Sequence, residues 1–128
     1  MMKVVCTHFV LKGKSNYKSL VPVFPDMLRI LLENIGQMPE EEEILQMYIE
    51  LNLADLSQNR KPEGYNRKGK VRLVFPMDRD PKDKKEFYLK SYEKVGDMKK
   101  IVGQYCEILD KAKIKYEIHD EENYMDLN

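Results

Sequence analysis

Along this chain the spacing of apolar residues switches between two and three-to-four, and the order of those switches limits the folds open to it. Residues 3–11 (KVVCTHFVL) are apolar at both parities and rich in β-branched side chains, which predicts a central strand ended by Gly13 and Asn16. Pro22 and Pro25 delay the first helix. Pro25 suits a first helical position, Asp26 the positive end of the dipole and Gly36 a C-terminal cap, with MLRILLENI between them. A second helix is expected over residues 39–56, opened by Pro39 and Glu40 to Glu43. Its residues Ile44, Leu45, Met47, Tyr48, Ile49, Leu51, Leu53 and Leu56 leave little of the circumference polar, which suggests a partner subunit.

Residues 57–69 (SQNRKPEGYNRKG) read as a loop, 70–75 (KVRLVF) as a second strand, 76–85 as a turn and 86–94 (EFYLKSYEK) as a third strand. Asp97 is placed to cap a helix whose stripe is Met98, Ile101, Val102, Tyr105, Ile108, Leu109 and Ala112. Residues 113–119 (KIKYEIH) alternate as a last strand. The order β-α-α-β-β-α-β predicts an α+β domain, a ferredoxin-like split β-α-β sandwich. It implies a mainly antiparallel four-stranded sheet, with the first and last strands adjacent, the helices on one face and the other face open. The expected organisation is a single domain over residues 1–119 and an acidic, flexible tail over 120–128.

Length and composition agree with one domain. A chain of 128 residues buries enough apolar surface to fold without disulfide or metal staples. Cys6 and Cys106 are far apart and in no ligand spacing, which favours a reducing, cytoplasmic setting. No stretch approaches the roughly 20 apolar residues of a membrane span.

The net charge of zero hides a segregation. Residues 1–57 carry five Lys/Arg against eight Asp/Glu, residues 58–100 fourteen against seven, and residues 101–128 three against seven. The basic excess is densest at Arg60, Lys61, Arg67, Lys68, Lys70 and Arg72, with Tyr65 among them. A basic loop with an interleaved aromatic suits phosphate contacts and base stacking. If Phe87 and Leu89 face the helices, then Tyr88, Lys90 and Tyr92 share the open face with Arg72. An aromatic and basic open sheet resembles the platform that RNA-recognition domains offer to unpaired bases. The signature motif of that family is met only at Lys85, Phe87 and Tyr92, and Glu86 and Tyr88 replace its small residues, so no family is assigned.

Catalytic constellations are sparse. Palm domains share this strand order, yet residues 3–11 hold no acid to complete a two-metal site with Asp78 and Asp80. Cys6 and His8 lie on one strand face and His119 on a candidate neighbour, but the spacing matches no zinc signature, and Cys6 reads more simply as core. Phosphate-cradling GxGxxG and P-loop motifs and the GxSxG elbow are absent. No cofactor or metal is expected.

The leading expectation is a non-catalytic binding or regulatory module, a homodimer. It would contact RNA, single-stranded DNA or a nucleoprotein through Arg60, Lys61, Tyr65, Arg67, Lys68, Lys70, Arg72, Tyr88, Lys90 and Tyr92. The alternatives are a protein–protein adaptor or inhibitor acting through helix 39–56 and the acidic tail, and a small enzyme with an unrecognised site.

Overall fold

The computed structural model describes residues 4–65, 71–75, 85–91 and 95–122. They form an α+β arrangement of three helices and one antiparallel sheet of five strands, in the order β2-β3-β4-β1-β5. The strands are β1 (Val5–Leu11), β2 (Gly64–Tyr65), β3 (Val71–Val74), β4 (Glu86–Ser91) and β5 (Tyr116–Glu122). The helices are α1 (Phe24–Ile35), α2 (Glu42–Leu56) and α3 (Val95–Lys111). No described helix is long and apolar enough to cross a membrane.

The expected four-stranded sheet is corrected to five. The added strand, β2, lies inside the segment read as a loop and pairs Gly64 with Val74 and Tyr65 with Leu73. Two residues of pairing leave no readable period, so the sequence cannot announce such a strand. Gly64 is required there: its φ is +75°, and a Cβ would stand 2.7 Å from the Leu73 carbonyl oxygen.

β1 is central, between β4 and β5, and buried along its whole length. Phe9 lies opposite Phe87 and their rings stack at 4.8 Å. With Leu11, Leu73 and Leu89 they form the face that packs against Met27, Leu28 and Leu31 of α1 and Ile101, Tyr105 and Leu109 of α3. In α1, buried Phe24, Met27, Leu28, Leu31, Leu32 and Ile35 repeat at three and four, and Gly36 ends the helix at φ +70°. Pro25 is its second residue, where a missing N–H costs nothing.

Three expected boundaries move. α2 begins at Glu42, so Pro39 and Glu40 precede it and Glu41 takes the cap position. Glu42 also reaches back to α1: the Arg29 guanidinium donates to it at 2.7 Å and, with Gln46, holds its carboxyl below the usual range. α3 begins at Val95, which puts Asp97 inside the first turn. β5 runs on to Glu122, so Asp120, Glu121 and Glu122 are sheet residues and not part of a tail. Thr7 accounts for part of that extension, since its hydroxyl donates to Asp120 Oδ1 at 2.8 Å.

Candidate functional site

Strand alternation assigns the sheet's second face, away from the helices, to Arg72 and Val74, to Glu86, Tyr88 and Lys90, to Cys6, His8 and Val10, and to the alternate positions of β5. The register arranges them in rows. Arg72 lies opposite Lys90, and Lys90 opposite Cys6; Val74 lies opposite Tyr88, Tyr88 opposite His8, and His8 opposite His119. The last row runs from Glu86 through Val10 to Glu117. The expected grouping of Arg72, Tyr88 and Lys90 on one face therefore follows from the pairing.

The expectation that this face is open is corrected. Tyr88 is fully buried and Lys90 is 6% exposed, as are His8 and Val10, while Cys6, Val74 and Tyr88 form a second small apolar cluster. Neighbours in the same row, His8 and Val74 on either side of Tyr88, take up part of that burial. The His8 and Tyr88 rings lie 5.0 Å apart, and His8 Nδ1 is 3.6 Å from Glu86. Alternation identifies a face but does not say whether that face is covered.

Tyr65 belongs to the opposite, helix-facing side. It is buried, its hydroxyl donates to Gln37 at 3.0 Å, and its ring meets Tyr48 edge-on at 5.9 Å. A ring so enclosed offers no face to a base. Arg60 is exposed beside Asp55 at 3.4 Å, and Lys61 is half-buried. Arg67, Lys68, Lys70 and Tyr92 lie outside the described residues, as do Asp78 and Asp80.

The chemistry of the second face is limited by access. Arg72 opposite Lys90 sets cation against cation, an arrangement that stabilises negative charge supplied by the chain or by a ligand. His8 and His119 are direct cross-strand partners, yet no group of three His, Cys, Asp or Glu suited to a metal ion occurs among the described residues. His119 instead pairs with Glu117 on its own strand, at 3.4 Å. Neither cysteine is in a disulfide; Cys6 is buried and Cys106 half-buried.

A more accessible site lies on the other layer. Leu45, Ile49, Asn52 and Leu56 form the buried face of α2, which leaves Ile44, Met47 and Leu51 on its outside, 38%, 50% and 63% exposed. Beside that stripe a groove of about 560 Å³ runs between α2 and β2, lined by Met47, Tyr48, Leu51, Asp55, Glu63 and Tyr65, among others. Asn52 fixes the groove's shape. Its amide donates to the Tyr48 carbonyl and its carbonyl accepts from the Gly64 N–H, both at 2.8 Å, so one buried side chain ties β2 to α2.

Sequence reasoning registered helix 39–56 as unusually apolar but could not say which of its residues stay outside. It passed over Asn52, whose only sequence signal is a polar residue amid leucines. Comparison with protein-family models, curated proteins and solved structures finds no match.

Proposed function

We propose that this protein is a small non-catalytic module that binds a partner protein on the outer face of α2. One observation carries the reading: Ile44, Met47 and Leu51, spaced three and four apart, form an exposed apolar stripe that leads into the α2–β2 groove. Large apolar side chains grouped on a surface are a mark of interaction sites, and methionine adapts its shape to a partner. The helix carries Glu42, Glu43, Glu50 and Asp55 and no lysine or arginine. Two copies meeting α2 to α2 would oppose acid to acid, so a homodimer through this face is disfavoured against a basic partner.

A photo-crosslinking residue at position 51 of the full chain tests this. The expected product is a crosslink to one partner whose purified form binds the wild-type chain and loses binding to Met47→Asp and Leu51→Asp, with thermal unfolding unchanged. No partner sensitive to both substitutions, or crosslinks confined to a second copy of the chain, would overturn it.

A second reading keeps RNA or single-stranded DNA as the partner, supported by the density of basic residues over 60–72. Its mark is an affinity that falls steeply with salt and is abolished by a joint Lys68/Arg72→Ala change. Burial of Tyr65 and Tyr88 removes the stacking platform that this reading needs most. The order β3-β4-β1-β5 supports a further element of the proposal, an elaborated ferredoxin-like arrangement. Two cysteines outside any disulfide support a reducing compartment such as the cytoplasm.

A further inference from the structure

Among the described residues β5 is an edge strand. Its inner side pairs with β1 from Tyr116 to Glu122, and no described strand pairs with its outer side. The register tells which backbone groups face outward. The Lys12 N–H donates to the Lys115 carbonyl at 2.9 Å, and Lys12 and Lys115 are in step with the β1–β5 pairing. Antiparallel pairs alternate between bonded and non-bonded, so Glu117, His119 and Glu121 exchange bonds with β1. The neighbouring strand agrees: the Leu11 N–H donates to the Lys85 carbonyl, which gives the odd residues of β1 to β4 and leaves its even ones for β5. The N–H and C=O groups of Ile118 and Asp120 therefore point away from the sheet.

A row of outward N–H and C=O groups is a template for another extended chain. Along this edge lies a groove of about 710 Å³ between β5 and α3, with apolar Val5, Met98, Val102 and Ile118 and charged Lys99 and Asp120 among its lining. Gly103 of α3 also lines it, and a Cβ there would meet nothing within 4 Å. Glycine inside a helix is less stable than alanine, and packing does not require it at this position. Its effect is to leave the groove open.

We infer that the β5 edge and the α3 groove bind an extended, basic segment of a partner protein, which adds to the sheet beyond β5. The sequence of β5 carries four acids and no lysine or arginine, so edge-to-edge pairing of two copies sets acid near acid, whereas lysines on an incoming chain are complementary, to Asp120 on the groove side and to Glu117, which also lies 3.5 Å from Lys12. Alternation then sets the partner's pattern. Its apolar residues enter the groove beside Val102 and Ile118, and its basic residues lie on the other face beside Glu117. This surface is separate from the α2 stripe and does not depend on it.

The test uses the full chain and a fluorescein-labelled octapeptide of alternating lysine and valine, with a blocked peptide of four lysines then four valines as control. The alternating peptide is expected to bind about tenfold tighter than the control and to slow amide exchange at Ile118 and Asp120. Gly103→Phe, which fills the groove from a helical position, should weaken binding by about tenfold or more. Ile118→Pro removes an outward N–H and no bond to β1, and should do the same, while Ile118→Val stays within about twofold. Amide exchange on the wild-type chain keeps the test decisive should Ile118→Pro fail to fold. Equal binding of both peptides, or binding without protection at Ile118 and Asp120, overturns the inference. So does a dimer of the unliganded chain that Ile118→Pro dissolves, since a second copy then occupies the edge. Met47→Asp and Leu51→Asp should leave peptide binding unchanged, which separates this result from the fate of the α2 proposal.

Discussion

Tyr105 shows how much one side chain can be asked to do in this core. It is fully buried, its ring packs against Phe9 and Phe87, and its hydroxyl donates to the Met27 carbonyl at 2.8 Å, joining α3 to α1. The helical stripe of three-and-four spacing predicts that Tyr105 faces the core, but not that its hydroxyl finds a carbonyl of another helix. Burial raises the phenol well above its ordinary value of 10.0, so the folded chain holds this proton at a pH where the unfolded chain releases it. The contribution is present in full below pH 10 and is lost as pH rises beyond it. Tyr116, raised by burial and then by its hydrogen bonds with Cys106 and Asp110, acts in the same direction. Tyr105→Phe is expected to cost about 1 kcal/mol at neutral pH. The variant should also show a shallower loss of stability between about pH 10 and 11.5 in urea titrations, the remaining slope including that of Tyr116.

At the scale of elements, the segment from α2 to β2 owes its placement to Asn52. Asn52→Ala leaves the Gly64 N–H and the Tyr48 carbonyl without this partner, and should destabilise the fold by about 2 kcal/mol. The loss would be local as well as global: amide exchange at Gly64 should speed up more than at Leu89 in the central strand. Equal acceleration at both sites would mean that Asn52 supports the whole core and does not pin β2. Other elements were legible without such tertiary detail. Gly36 closes α1 in the left-handed conformation that its position predicted, and the stripe from Met98 to Leu109 faces the sheet. Local chemistry decides those features, through a backbone angle and a repeat. β2 was illegible because its two residues owe their strand geometry to Asn52 and to pairing with β3, and two residues are too few to show a repeat of their own.

Across the whole molecule, the sheet's register turns a plausible tail into structure. Residues 120–122 pair with Val5, Cys6 and Thr7, and Asp120 accepts the Thr7 hydroxyl. Removing residues 120–128 should therefore cost at least about 2 kcal/mol more in urea unfolding than removing 123–128, which leaves β5 entire. Similar costs would show that Asp120 to Glu122 contribute little to the sheet.

The sequence by itself determined the three helices and four of the five described strands, the parity that turns Phe87 and Leu89 inward and Tyr88 and Lys90 to the opposite face, and the segregation of charge. These follow from periodicity, glycine geometry and composition, all of which act over a few residues. Only the tertiary structure decided that the β1 and β4 positions Cys6, His8, Val10, Tyr88 and Lys90 of the second face are buried, that Ile44, Met47 and Leu51 stay outside while Leu45 and Ile49 go in, and that β5 is an edge among the described strands. Whether a side chain is covered depends on what the rest of the chain brings against it, and periodicity carries no record of that.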